Sequence, residues 1–93
     1  LDEKIKLKVQ EPHRWKVIFL NDEHTPMEFV ISVLTEIFKH SQETAKNVTM
    51  QIHTEGSGIA GVYSFEIAEA KAVEATHQAR TNGFPLQIKL EEE

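Results

Sequence analysis

Val17-Ile18-Phe19-Leu20-Asn21-Asp22-Glu23-His24-Thr25-Pro26-Met27-Glu28-Phe29-Val30 is the stretch whose reading decides the fold. Its first four residues form a continuous apolar run, preceded by Trp15 and Lys16. A continuous run of β-formers suits a strand buried on both faces, so a strand is predicted over Trp15–Leu20. Thr25 then has the side chain of a helix N-cap, Pro26 suits the first helical position, and Glu28 completes a Thr-x-x-Glu capping box. Strand exit and helix start are thus set by local chemistry. Asn21, Asp22 and Glu23 lie between them, in a connection held from both sides, and loops fixed on a rigid scaffold often carry function.

Downstream, Met27, Val30, Val33, Leu34, Ile37 and Phe38 recur at three- and four-residue steps, the apolar face of a helix ending near Lys39-His40. Ser41 can cap a second helix, in which Ala45, Val48, Thr49 and Ile52 share one face and Gly56 supplies the stop. Two helices joined by so few residues pack as an antiparallel hairpin, which sets the start of the first beside the end of the second. Gly58–Tyr63 reads as a strand, with Gly61 permitting a bulge or a close backbone contact. Ser64 opens a third helix running to about Thr81, striped with Ala68, Ala72, Ala75 and Ala79, and Asn82-Gly83 ends it. Leu86, Ile88 and Leu90 alternate with Gln87 and Lys89 as in a half-buried strand, before Glu91-Glu92-Glu93. The predicted fold is α+β: a three-stranded antiparallel sheet packed with three helices, in the order β-α-α-β-α-β.

Ahead of this core, residues 1–13 are mostly polar, although Ile5, Leu7 and Val9 alternate with Lys4, Lys6 and Lys8. The segment reads either as a lysine-protected edge strand or as a flexible tail. The expected organisation is a flexible extension over 1–13 and one core domain over 14–93. A chain of 93 residues with 40% hydrophobic and 27% charged content is one soluble-type domain. No apolar run reaches the ~18 residues of a membrane span. The net charge of −5 disfavours a phosphate-binding surface. Without cysteine there is no disulfide, zinc-thiolate site or thiol nucleophile, which suits a reducing compartment.

Chemistry is sparse. His13, His24, His40, His53 and His77 have neither His-x-His nor His-Glu-x-x-His spacing, so neither metal nor cofactor is expected. Glu55-Gly56-Ser57-Gly58 lacks the spacing of a nucleophile elbow. Catalysis is therefore the weaker class. Binding has more support. His53 falls near a helix C-terminus, where the dipole is negative, and the hairpin sets it opposite Asn21, Asp22 and Glu23. Such a place suits an ammonium group: neutral imidazole can accept a hydrogen bond, as can the Asn21 amide oxygen. Met27, Val30, Thr49 and Ile52 either wall an apolar pocket beside it or fill the hairpin core.

The opening stretch, followed by Ile52-His53-x-x-Gly56, Gly61-Val62-Tyr63, Glu66-Ile67-Ala68-Glu69-x-Lys71 and Phe84-Pro85-Leu86, closely resembles the ClpS family of adaptor proteins over about residues 14–90. The resemblance implies a non-enzymatic, bacterial and cytoplasmic adaptor, with a monomer as the default expectation. It would bind proteins by an N-terminal Phe, Tyr, Trp or Leu and hand them to a ClpA-type unfoldase of the Clp protease. Carried over by position, Asn21, Asp22 and His53 hold the substrate α-amino group, and Glu23 and Thr25 contact its first peptide bonds. Met27, Val30, Thr49, Ile52 and Leu86 form the side-chain pocket, and Glu66, Glu69 and Lys71 dock on the unfoldase N-domain. This sequence departs from the family pattern in two places. Glu23 stands where a second aspartate is common, and Thr49 stands where a methionine usually lines the pocket. The second implies a roomier, slightly more polar pocket. The alternative reading is an unfoldase-docking domain of the same fold with altered or lost N-degron binding.

Overall fold

The computed structural model describes residues 13–93. Strand β1 (Arg14–Leu20) runs down the middle of a three-stranded sheet of order β2-β1-β3, antiparallel to both β2 (Ser57–Ser64) and β3 (Gln87–Glu92). Its central place accounts for its continuous apolar run: Val17, Ile18 and Phe19 are all buried, with strands on either side and helices over one face. The helices are α1 (Met27–Glu36), α2 (Gln42–Glu55) and α3 (Phe65–Thr81), so the element order is the expected β-α-α-β-α-β. The reading of residues 1–13 as a tail or edge strand lies outside the described residues except for His13, whose ring nitrogen is 2.7 Å from a Glu92 carboxylate oxygen.

One core joins the layers. Val17 and Phe19 meet Val33, Leu34, Ile37 and Phe38 of the α1 segment, Ala45 and Ile52 of α2, and Ala68, Ala75 and Ala79 of α3. The three alanines have no exposed surface, and their small side chains let α3 lie close over all three strands. Phe38 stands edge-on to Phe19 with ring centroids 5.4 Å apart, an arrangement favoured by the ring quadrupoles. Leu86 leads into β3 and is 1% exposed within this core.

Helix α1 departs from the sequence expectation at both ends. It stops at Glu36, before Lys39-His40, because Lys39 takes a left-handed φ of 61° and the His40 amide donates to the Leu34 carbonyl at 3.0 Å. Ile37 and Phe38 nevertheless keep facing the core (4% and 5% exposed), which is why the apolar period runs past the helix end. At the start, Pro26 occupies the N-cap position with extended ψ of 145°, and no side chain caps the helix. The predicted Thr25 capping box is therefore corrected: the Thr25 hydroxyl donates to Asp22. Ser41 does cap α2, accepting from the Thr44 amide at 3.1 Å, whereas Ser64 precedes α3 without a side-chain cap bond.

In β2, Val17 pairs with Gly61 and Ile18 with Ile59, which leaves Ala60 as the extra residue of a bulge. Gly61 beside it is needed for close approach, since a Cβ there would lie 2.6 Å from the Tyr63 ring carbons. The α1–α2 corner is tied down at the same place. His40 Nε2–H donates to the Ala60 carbonyl, and Lys71 Nζ of α3 donates to the Ile37 carbonyl at 2.8 Å. The hairpin is thus fastened at its corner, leaving its open end to frame a cleft.

Candidate binding site

At that open end the loop after β1 faces the last turns of α2. Asp22 shapes the loop. Its Oδ1 accepts from the His24 amide at 2.8 Å and the Thr25 amide at 2.7 Å, and its Oδ2 accepts from the Thr25 hydroxyl at 2.8 Å. An aspartate bonding amides two and three residues on is a self-contained turn, which explains why the chain reverses here without help from the helix. The sequence signal for this turn is Asp22-x-x-Thr25, in which Thr25 also has the form of a helix cap. Partial burial alone raises the Asp22 pKa, but the Thr25 hydroxyl, the His24 and Thr25 amides and the charge of the His24 ring outweigh it. The carboxyl is held below its ordinary value of 3.8. With three bonds accepted, about one of its four lone-pair sites stays free.

The opposite wall comes from α2. Gly56, at φ 90°, ends this helix with its amide on the Ile52 carbonyl at 2.9 Å, and its own carbonyl accepts from the Asn21 amide at 2.9 Å. His53 lies in the last turn, exposed, at the negative end of the helix dipole. Between the walls is a cavity of about 480 Å³, in the range of small-ligand sites. It is lined by Asn21, Asp22, Glu23, Thr25, Met27, Val30, Thr49, Ile52 and His53. These are nine of the ten residues expected for the ammonium site and side-chain pocket.

The lining divides into two kinds. Asn21, Asp22, Glu23, Thr25 and His53 supply oxygen and nitrogen atoms with two carboxylates, and among the described residues no lysine or arginine lines the cavity. Val30, Thr49 and Ile52, each 4–6% exposed, make an apolar base, and Met27, 39% exposed, stands at the lip. The earlier ambiguity resolves in both directions: Val30 and Ile52 belong to the core and to the cavity wall at once. A cleft with one anionic end and one apolar end is matched to a cation carrying an apolar body.

Two expectations change. Leu86 is not among the residues lining the cavity; it is 1% exposed and packed in the main core. Thr49 offers the cavity no free hydroxyl proton, because its hydroxyl donates to the Ala45 carbonyl at 2.7 Å within its own helix. On α3, Glu66 and Glu69 are exposed, but Lys71 is half-buried, its ammonium bound to the Ile37 carbonyl and 5.9 and 5.4 Å from the Phe38 and Tyr63 ring centroids. A second depression of about 450 Å³ lies between α3 and β3, lined by Ala72, Val73, Ile88 and Leu90 among others. Its surface is mostly apolar, with Glu69, Thr76 and His77 also in the lining, whereas the cleft beside α2 is more enclosed and gathers five polar side chains, which makes it the stronger candidate binding site. Among the described residues no three His, Asp or Glu side chains gather as a metal site, and no helix is long and apolar enough to cross a membrane.

Fold and cleft together define a small ligand-binding domain, and comparison with known proteins gives its kind. The family model described as "ATP-dependent Clp protease adaptor protein ClpS" matches residues 10–89. The chain is 44% identical over 91 residues to the ATP-dependent Clp protease adapter protein ClpS of Leptospira biflexa, covering 98% of this chain and 80% of that one. It is 43% identical over 90 residues to the same adapter from Burkholderia cenocepacia, covering 97% and 86%. In structure it is similar to Agrobacterium tumefaciens ClpS2 bound to L-phenylalaninamide, with a TM-score of 0.86 and 43% identity over 89% of this chain and 100% of that one. The chain belongs to the ClpS family, the adaptors of the ATP-dependent Clp protease.

Proposed function

We propose that this chain binds proteins through an N-terminal Phe, Tyr, Trp or Leu and delivers them to a ClpA-type unfoldase, with no catalysis of its own. The observation that carries the reading is the division of the cleft: Asn21, Asp22 and His53 at one end, Met27, Val30, Thr49 and Ile52 at the other. A chain N-terminus brings an ammonium and an apolar side chain on the same carbon, and the two halves suit the two groups. The Agrobacterium relative is described with L-phenylalaninamide, which combines a free amine, a benzyl group and one amide. In this reading the ammonium donates to the Asn21 amide oxygen and to His53, with Asp22 acting through its field and one remaining lone pair. Glu23 and Thr25 face the first peptide bonds.

The magnitudes suit an adaptor. Burying one Phe or Leu side chain contributes ~1.5–3 kcal/mol, and each hydrogen bond to a charged group ~1.5–3 kcal/mol. One side chain and three such bonds give roughly 6–12 kcal/mol gross. Less several kcal/mol for association and ordering, a dissociation constant of roughly micromolar is reached only at the upper end of that range and a weaker one below it. Cargo held that way can be released.

For delivery, Glu66 and Glu69 are the exposed candidates for the unfoldase N-domain, with Lys71 contributing through the stretch of α3 it anchors. The protein acts as a monomer in the bacterial cytoplasm, without nucleic acid, membrane or cofactor. The second reading, a docking domain with altered cargo binding, rests on Thr49 alone. Fluorescence anisotropy of a Phe-initiated peptide, free or N-acetylated, tests the reading. The free amine is expected to bind at least a hundredfold more tightly, ~3 kcal/mol for the lost charge-assisted bonds. Equal or absent binding of both rejects it and leaves the docking reading.

A further inference from the structure

We propose that Gly56 is a positioning residue for cargo: it braces Asn21 against His53 and so sets the geometry of the ammonium site. The inference rests on the cleft being a receptor for N-terminal amines. Asn21 and His53 come from distant parts of the chain, one from the exit of β1 and the other from the last turn of α2. Their backbones are connected through Gly56. The ladder between β1 and β2 closes with Leu20 opposite Ser57, and the Asn21 amide extends it one rung further, donating to the Gly56 carbonyl at 2.9 Å. The Gly56 amide donates in turn to the carbonyl of Ile52, the residue before His53, also at 2.9 Å. Two hydrogen bonds through one residue therefore link the two groups that meet the ammonium.

Only a left-handed backbone lets Gly56 make both bonds. At φ 90° and ψ −14° its N–H points back along α2 while its carbonyl turns toward the loop. A residue with a Cβ is driven away from this conformation, although asparagine tolerates it better than most. Nothing else opposes a side chain, since a Cβ on Gly56 meets no atom within 4 Å. Substitution here thus perturbs the backbone angle without creating a clash. The expected result is a shift of Asn21 relative to His53, with the apolar base of Val30, Thr49 and Ile52 left as it was.

The test uses the full chain with Gly56→Ala and Gly56→Asn. Circular dichroism and thermal melting first establish that each variant is folded at the assay temperature. Three peptides are titrated: Phe-initiated with a free amine, the same peptide N-acetylated, and Ala-initiated with a free amine. Gly56→Ala is expected to weaken the first about tenfold, the loss of one hydrogen bond to a charged group. The advantage of free over acetylated amine falls with it, while the advantage of Phe over Ala is kept. Gly56→Asn is expected to recover most of the loss. A folded Gly56→Ala protein with the parent's preference for the free amine overturns the proposal. So does one that loses both preferences together, with Asn no better, because that pattern reports general damage. If the parent itself shows no preference for the free amine, the reading of the cleft fails and the role of Gly56 falls with it.

Discussion

The Thr25 hydroxyl donates to the Asp22 carboxylate at 2.8 Å and leaves the first turn of α1 without a side-chain cap. The loop that frames the amine end of the cleft is therefore held from within. Asp22→Ala removes the acceptor for two amides and a hydroxyl, and is expected to cost ~1–2 kcal/mol in stability by urea unfolding and about tenfold or more in affinity for a Phe-initiated peptide. Asp22→Asn keeps an oxygen for the amides, so it is expected to recover most of the stability and less of the affinity. Equal affinities for Asn and Ala variants assign the whole effect to charge.

Acid should undo the same turn. The Asp22 pKa is depressed in the folded chain, so its stabilising contribution is complete above the ordinary value of 3.8 and is lost as pH falls through the lower folded value. Between pH 5 and 8 this group contributes no pH dependence. Titration of the carboxyl by NMR checks the direction. Thr25→Val, which removes one donor, is expected to move the titration up toward the ordinary value. A midpoint above 3.8 in the parent contradicts the bonding described.

Thr49 is expected to tune the apolar end more by size than by polarity, because its hydroxyl proton is engaged within α2. Thr49→Val deletes a hydroxyl spent on the Ala45 carbonyl, and is expected to leave the ranking of Phe, Tyr, Trp and Leu peptides unchanged. Thr49→Met extends a longer, flexible side chain into the cavity and should change that ranking, because adaptable methionine repacks around cargo of different shapes. Identical relative affinities in competition assays with the Met variant remove Thr49 from the account of specificity.

Lys71 is expected to behave unlike its neighbours on α3. Lys71→Met gives up the bond to the Ile37 carbonyl near the C-terminal end of α1 and should lower stability by ~1–2 kcal/mol, roughly 5–15 °C in Tm for a domain of this size. Glu66→Ala and Glu69→Ala, on exposed positions, should stay within ~0.5 kcal/mol of the parent. Any delivery defect of a Lys71 variant then has to be read with its thermal melt, whereas Glu66 and Glu69 variants report on docking directly.

Local and periodic features were legible without coordinates. The apolar run at Val17–Leu20, the helical spacing from Met27, the Ser41 cap and the Gly56 and Asn82-Gly83 stops depend on residues near one another in the chain. The elements formed where they point, except that α1 stops at Glu36 although its apolar spacing runs on to Phe38. Short-range chemistry also misled where one side chain had two local partners. Thr25 can serve a helix or a carboxylate three residues back, and the amides that Asp22 organises decide the matter.

Sequence by itself determined the order β-α-α-β-α-β and the burial of the strand Val17–Phe19, because periodicity and turn chemistry act over a few residues. It also set His53 opposite Asn21, Asp22 and Glu23 through the short hairpin connection, while the assignment of the remaining cleft residues came from the resemblance to the ClpS family. Only tertiary structure decided that Leu86 lies in the core, that the Thr49 hydroxyl is spent on its own helix, that Lys71 reaches the Ile37 carbonyl, and that Gly56 joins Asn21 to the end of α2. The first three turn on where a side chain comes to rest, and the fourth on a backbone bond between segments far apart in the chain. Spacing along a sequence carries neither.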